Sequence, residues 1–342
     1  MQKFLVINRI ELNYLKKEYC EYIMLDVEIF PLSMIWWNVN LSPPIASKRN
    51  LASDEKIIQT AYILEKLMLK GYSIICLGEV SNDDIRKIIE IISNPSYSSI
   101  MGAEKQGRLY FDTAILYNIN HVDIVANDKG TFSSFGKFTK GSKNLKIFEM
   151  YIFRSKIFVN ERFYVFLSHW PSKLRDTTLE THLIAHELSK EVDKYIKENK
   201  NVILMGDYNL EPYELDIVEN LLSSRDKDLV LNKDYLLFNP CWYLLTLEQE
   251  NGINGTYFYN NGQCHKWRII DQIMISKSFL TKPWNYKRNY LEILEPNELF
   301  AVPEEIVNNP SDHYPLSNFI SRDLSSRKST NLLSKMLSLS PR

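Results

Sequence analysis

The stretch Val202-Ile203-Leu204-Met205-Gly206-Asp207-Tyr208-Asn209, followed by Leu210-Glu211-Pro212, decides how the rest of the chain is read. Four apolar residues in succession, after the polar run Lys197 to Asn201, describe a short buried strand. Gly206 ends the run. Asp207 and Asn209 lie two apart, so in an extended backbone both side chains leave on one face. A carboxylate beside a carboxamide at a strand end can hold a water or a metal-bound oxygen between them. The plain alternative is an Asx turn capping a helix that starts near Pro212. What stands at the other strand ends separates the two.

Before this strand, Thr178 to Lys197 reads as a long helix, and Arg162 to Ser168 as a strand that runs into Leu167-Ser168-His169-Trp170-Pro171-Ser172. Leu145 to Phe153, Val122 to Ala126 and Leu109 to Tyr117 fit further strands. Between them, Asp128 to Asn144 is rich in Gly, Ser, Phe and Lys and is expected to be a mobile loop. Earlier still, Leu32 to Leu41 forms a strand ending Trp36-Trp37-Asn38-Val39-Asn40. A helix is expected from a Ser53 cap to Gly71, then a strand from Ser73 to Leu77 ending Gly78-Glu79-Val80, then a helix from about Asp83 to Ile92 capped by Asn82. After the organising strand come a helix from Tyr213 to Leu222, a mixed region from Asn232 to Gly262, and a strand from Trp267 to Ser276. Ser311-Asp312-His313-Tyr314-Pro315-Leu316 follows a loop containing Pro and Asn. Helices alternating with continuous apolar strands indicate an α/β protein whose sheets are covered by helices.

With 342 residues, 45% hydrophobic and 24% charged, the composition is that of a soluble globular protein, and the net charge of -1 exerts no global pull on nucleic acid or anionic membrane. Cys20, Cys76, Cys241 and Cys264 form no CxxC pair, which fits reduced thiols and a cytoplasmic location. No secretory signal opens the chain, and the apolar neighbourhood from Ile23 to Trp37 is interrupted by Asp26, Glu28 and Pro31, so nothing there spans a bilayer. Residues 1–30 read as an appendage: Leu12, Leu15, Tyr19, Tyr22 and Ile23 fall at helical spacing, for packing on the main body or for a protein partner. Residues 31–320 form the main domain, and 321–342 are a basic, Ser-rich tail that could also meet a partner.

Polar, chemically capable residues stand at the ends of separate apolar strands: Asn38 with Asn40, Glu79, His169, Asp207 with Asn209, and Asp312-His313, with Asp271 inside Arg268-Ile269-Ile270-Asp271-Gln272-Ile273-Met274. Any one has a bland account, as a solvated loop residue or a buried group bonded to backbone amides. So many in one chain do not. Together they resemble the endonuclease/exonuclease/phosphatase superfamily, the DNase I-like fold. Trp37-Asn38 is similar to its strand-end Trp-Asn, Leu77-Gly78-Glu79 to its Leu-Gln-Glu, and Gly206-Asp207-Tyr208-Asn209 to its Gly-Asp-Phe-Asn. Ser311 to Pro315 matches its Ser-Asp-His-x-Pro in full, and Asp271 lies in the place of its late Ile-Asp-x-Ile aspartate. The departures are Gly78 for glutamine and Tyr208 for phenylalanine.

The resemblance implies a four-layered α/β/β/α sandwich of two mixed, mainly antiparallel sheets flanked by helices, hydrolysing a phosphate ester with Mg²⁺ or Mn²⁺. Asn38, Glu79 and Asp312 would offer oxygen ligands to the metal. Asp207 and Asn209 would position and deprotonate the attacking water. His313, held by Asp271, would stabilise charge on the phosphorane-like transition state. His169 would bind the phosphate from the other side, with Asp112 as the carboxylate that orients it, and Asn40, Ser172, Lys173 and Arg175 as substrate contacts.

Two weaker patterns are set against ordinary roles. His182 and His186 share a helix face, but Glu187 does not complete a His-Glu-x-x-His zinc site. Thr256-Tyr257-Phe258-Tyr259 could stack bases or simply pair across strands. Substrate class is argued from charge. From Met101 to Arg175 there are twelve basic residues against six acids, and Lys129, Lys137, Lys140 and Lys143 alternate with Phe132, Phe135 and Phe138 around the expected loop. That suits a nucleic acid and an endonuclease. The competing reading is a phosphoinositide or sphingomyelin-type hydrolase, although Trp267-Arg268-Ile269-Ile270-Asp271 lacks the Trp-Cys-Asp-Arg-Ile of inositol phosphatases. A non-catalytic protein on the same fold is a third, and it predicts a missing catalytic residue; none is missing.

Overall fold

The computed structural model describes residues 29–42, 51–140, 143–158, 160–173, 177–246, 252–263, 265–287, 290–295 and 310–323. The first sheet contains β1 (Ile29–Asn38), β2 (Ile74–Gly78), β3 (Tyr97–Met101), β6 (Thr113–Asn118), β17 (Trp284–Asn285), β18 (Leu291–Ile293) and β19 (Leu316–Asp323). Its order is β17-β19-β1-β2-β6-β3, with β18 also on β19. The second contains β7 (Val122–Val125), β8 (Ser134–Lys140), β9 (Lys143–Ser155), β10 (Arg162–His169), β11 (Asn201–Asp207), β12 (Ser223–Ser224), β13 (Leu237–Phe238) and β16 (Asp271–Ser276). Its order is β12-β13-β16-β11-β10-β9-β7, with β8 on β9. Two small hairpins, β4 (Lys105–Gln106) with β5 (Leu109–Tyr110) and β14 (Tyr257–Phe258) with β15 (Trp267–Arg268), stand apart from the sheets.

The period of two along each strand divides the core into layers. In β1, Leu32, Met34 and Trp36 face the second sheet, where they meet Val165, Leu167, Ile203, Met205, Ile273 and Ile275. Ile35 and Trp37 face outward and are covered by α1 (Asp54–Leu69) and α2 (Asn82–Ile92) through Ile57, Leu64, Leu67, Ile85 and Ile88. On the far side, Tyr164, Phe166, Val202 and Leu204 are covered by Ile184, Ala185, Leu188 and Val192 of α3 (Thr178–Lys197). The layers are therefore helix, sheet, sheet, helix, as the sequence led us to expect.

Two parallel pairs orient everything else. β1 runs parallel to β2 through α1, and β10 parallel to β11 through α3; all other pairings of these strands are antiparallel. Such crossovers bring the carboxyl ends of all four strands to one end of the sandwich. Gly206 is required there: a Cβ would lie 2.1 Å from the Ser168 carbonyl oxygen of the neighbouring strand.

Several expected elements differ. The stretch from Asp128 to Asn144, expected as a mobile loop, instead supplies β8, which pairs with β9 around a bulge at Gly136/Lys137. Its aromatics anchor it: Phe135 packs on Phe111 with ring centroids 4.8 Å apart, and Phe138 packs on the outer core. The helix expected from Tyr213 to Leu222 is a single π-helical turn, Asp216–Asn220. The expected strands Leu109 to Tyr117 and Trp267 to Ser276 are each broken, at Phe111-Asp112 and at Ile269-Ile270, so Asp271 opens a strand rather than lying within one. The cap of α2 is Ser81, not Asn82: its hydroxyl accepts from the Asp84 N–H while the Asp84 carboxylate accepts from the Ser81 N–H. The expected N-terminal helix and most of the C-terminal tail lie outside the described residues.

Candidate active site

At the end where the parallel strands finish, the registers place the polar residues side by side. His169 is level with Asp207, Asp207 with Asp271, Asn38 with Gly78, and Gly78 with Thr113, the residue after Asp112. Residues just past the strand ends must turn sharply. Asn40, Glu79 and Asn209 do so in the left-handed region, with φ of 47°, 57° and 53°. For non-glycine residues this conformation costs of order 1–3 kcal/mol each and concentrates at functional sites.

Carboxylates crowd the centre. Asn38 lies between two of them, donating from Nδ2 to Glu79 Oε1 (2.9 Å) and to Asp207 Oδ2 (3.2 Å). Its Oδ1 accepts the Asn40 N–H at 3.1 Å, and Asn40 Nδ2 donates to Asp312 Oδ1 at 3.1 Å. Asp207 Oδ1 accepts the Asn209 N–H at 2.9 Å, which is the Asx turn considered above. Asn209 Nδ2 donates to the Trp170 carbonyl, also at 2.9 Å. The turn and the chemical reading are thus one arrangement: the Asx bond aims Asp207 into the cluster. Burial, reinforced by the Asp271 charge, raises the Asp207 carboxyl to about 6.

Two imidazole–carboxylate pairs flank this cluster. His313 Nδ1 is 2.7 Å from Asp271 Oδ2, and its Nε2 is 3.8 Å from Asp207 Oδ2. His169 Nδ1 is 2.8 Å from Asp112 Oδ2, and its Nε2 is 3.7 Å from Glu79 Oε1. Burial by itself would lower both histidines. The Asp271 carboxylate outweighs it and pushes His313 up to about 10; the Asp112 carboxylate does the same for His169, up to about 9. Burial would likewise raise Asp112, but Lys146 and His169 hold it well below the usual carboxylate range. Both rings are imidazolium at neutral pH, with Nε2–H directed to the centre.

Residues to which the sequence assigned no part in the chemistry complete the site. Trp36 Nε1 donates to Asp271 Oδ1 at 2.8 Å, and Trp37 Nε1 to the His313 carbonyl at 3.1 Å, so the tandem tryptophans tie both core layers to one histidine segment. Lys146 Nζ is 2.6 Å from Asp112 Oδ1. The Tyr257 ring lies against His313 with centroids 4.6 Å apart. Lys56 donates from Nζ to the Asn40 carbonyl. No local signal pairs Lys146 with Asp112, since the contact spans 34 residues of chain. Lys56 was visible as a misfit, a cation in the first turn of a helix.

The expected substrate contacts are less concentrated. Asn40 belongs to the cluster. Ser172 and Lys173 are exposed, and Lys173 pairs with Glu214 at 2.5 Å; Arg175 lies outside the described residues. His182 turns to Asn220 and Asp216 on the π-helical turn. Gly78, where glutamine was expected, lies under Trp36, whose ring would be 3.0 Å from a Cβ there.

The donor chemistry fits a hard divalent cation. Carboxylate oxygens of Glu79 and Asp207 lie within 4.8 Å of one another, and the exposed Asp312 carboxylate stands on the same rim through Asn40. Asn38 presents its amide nitrogen to these carboxylates, so here it holds Glu79 and Asp207 together. Ligation by Asn38 itself would need Oδ1 turned inward. Carboxylate oxygens of this kind, on Glu79 and on Asp312 at the rim, are the donors that a hard divalent cation prefers.

Comparison with known proteins bears on the family and the fold. A family model described as the Endonuclease/Exonuclease/phosphatase family matches residues 46–321. The human Nocturnin catalytic domain with bound sulfate superposes with a TM-score of 0.55 at 15% identity, over 86% of this chain and 96% of that one. D. rerio TDP2 complexed with a single-stranded DNA product does so at 0.53 and 17%, over 85% and 98%. A Bacteroides thetaiotaomicron endonuclease/exonuclease/phosphatase family protein gives 0.50 and 16%, over 89% and 99%. No curated protein sequence matches.

Proposed function

The chain belongs to the endonuclease/exonuclease/phosphatase family, and from that premise we propose that it is a divalent-metal-dependent phosphodiesterase that cuts nucleic acid. The observation that carries this reading is the pair of imidazolium–carboxylate units, His313–Asp271 and His169–Asp112, facing one carboxylate cluster from opposite sides. Asp207, with a pKa near 6, is ionised at neutral pH and basic enough to take a proton from the attacking water, while the Asn209 N–H fixes its orientation. His313 and His169 present positive N–H donors where negative charge builds on the phosphoryl oxygens. Glu79, with Asp312, would hold Mg²⁺ or Mn²⁺, which would supply Lewis-acid polarisation of the phosphate when bound.

Nucleic acid is favoured over lipid by the excess of basic residues from Met101 to Arg175 and by the packing of this stretch. Phe135 packs on Phe111, and Lys137 Nζ reaches Gln106 Oε1 at 3.5 Å, so the hairpins β4–β5 and β8–β9 adjoin. A membrane-inserting loop would need its phenylalanines free. Phe135 and Phe138 are packed, and only Phe132 of the three is exposed, at 57%. No helix among the described residues is long and apolar enough to cross a membrane. The TDP2 structure named above carries a single-stranded DNA product, which accords with this choice.

The test has two parts. Cleavage of plasmid, single-stranded DNA, RNA and phosphoinositides is screened with Mg²⁺, with Mn²⁺ and with EDTA. Binding of the Asp207→Ala protein to oligonucleotides and anionic liposomes is then measured across a salt series. Affinity for oligonucleotide should fall by about 0.7 to 0.9 log units per log unit of salt for each phosphate contact. Tight liposome binding without oligonucleotide binding would reject the nuclease reading.

A further inference from the structure

Lys56 stands where a helix least favours it. It is the third residue of α1, whose N-cap is Ser53, and the positive end of the helix dipole disfavours a cation in the first turn. Asp54 and Glu55, the residues before it, obey that rule. A residue that breaks a local rule without local gain points to a role elsewhere. The Lys56 side chain leaves the helix and donates to the carbonyl of Asn40.

Asn40 is the hub of the carboxylate rim. Its own N–H reaches Asn38, which donates to Glu79, and its amide donates to Asp312. It holds these bonds in the left-handed conformation at φ 47°. One ammonium therefore ends on the carbonyl from which both outer acids are reached. Burial lowers the Lys56 amine below its ordinary value, and Asp312 and then Glu79 oppose that fall. The lysine is half-buried, and its charge acts on the acids assigned to the metal while its hydrogen bond goes to a neutral oxygen.

We propose that Lys56 is a built-in counter-cation of the divalent-metal rim: it offsets the Glu79 and Asp312 charges in the metal-free protein and, staying in place, weakens the binding of a metal beside it. The inference rests on the metal reading given above. Placing a unit charge several ångströms from a divalent ion costs, even at high effective dielectric, about one factor of ten in affinity. A site with such a neighbour binds and releases its cation more readily than the same donors would without it.

The experiment is a calorimetric titration of Mn²⁺ into chelator-treated full-length protein without substrate, for wild type, Lys56→Met and Lys56→Arg. Lys56→Met should bind Mn²⁺ about tenfold tighter, and Lys56→Arg should stay near wild type. In parallel, the thermal midpoint of metal-free Lys56→Met should fall below that of wild type, with the gap closing at saturating Mn²⁺. Lys56→Gln repeats the measurement should the methionine variant not fold. Equal or weaker Mn²⁺ binding by the neutral variants would overturn the inference while leaving the metal site standing. Wild-type protein that binds no Mn²⁺ would overturn the metal reading and this inference together.

Discussion

Replacing Glu149 by glutamine should remove a pH dependence of stability that burial imposes on this fold. Glu149 is 1% exposed on β9; Oε2 accepts the Tyr151 hydroxyl at 2.8 Å, and the Thr113 hydroxyl also faces the carboxyl. The backbone of Gly102 closes over it, so that a Cβ there would be 2.4 Å from Oε2. Burial, with the Asp112 charge adding to it, pushes the carboxyl from its ordinary 4.5 up to about 8. The folded protein therefore holds a proton that the unfolded chain has released above about 4.5. Stability from this group is fully present below that pH and is lost progressively as pH rises through about 8. At about 1.4 kcal/mol per pH unit, the span amounts to roughly 5 kcal/mol as a ceiling, which solvent penetration will reduce. Glutamine carries no charge at any of these pH values and keeps an oxygen for Tyr151. The assay is urea unfolding of both proteins by tryptophan fluorescence from pH 5 to 8.5. Wild type and Glu149→Gln should be close at the acid end, and the variant should gain by several kcal/mol at the alkaline end. Parallel curves, or a variant equally destabilised at every pH, would refute the buried neutral carboxyl.

Other consequences are nearer the chemistry. Asp271→Asn keeps the shape of its pocket but removes the charge that raises His313, so turnover should fall about 10²- to 10⁴-fold and the His313 resonance should titrate at lower pH; unchanged turnover would contradict the pairing. Trp36→Phe leaves Asp271 Oδ1 buried without its indole donor, and the denaturant midpoint should drop by the equivalent of about 1–3 kcal/mol. The rate should rise with pH as Asp207 ionises near 6 and decline as His169 loses its proton near 9; a flat profile over that range would count against both assignments. Asp207→Ala and His313→Ala should each lower turnover by orders of magnitude with the fold intact, measured by cleavage rate beside circular dichroism.

Most of the layered architecture could be read from the chain because its signals are local. Apolar runs such as Ile74 to Leu77 mark strands, Ser53 and Gly71 bracket a helix, and a polar residue directly after an apolar run is visibly at a strand end. Asn38, Glu79, His169 and Asp207 were legible for that reason, and His313, which precedes its strand, through the motif Ser311 to Pro315. The loop expected at Asp128 to Asn144 was misjudged because Gly, Ser and Lys outweigh the two phenylalanines that seat the hairpin, and those find their partners in Phe111 and the outer core. Asp271 was named as chemical by sequence but located only by the fold, since its value lies in facing Asp207 across β11 and β16.

Sequence alone determined which side chains stand at strand ends, because backbone period and turn chemistry act over a few residues. It could not determine which ends meet, because the parallel crossovers through α1 and α3 bring together residues that are far apart along the chain. Nor could it say how each group ionises. Glu149 becomes a neutral acid, His169 and His313 become cations, and Lys56 sits beside the acid rim only because burial and neighbouring charge act through space, at distances the folded chain alone sets.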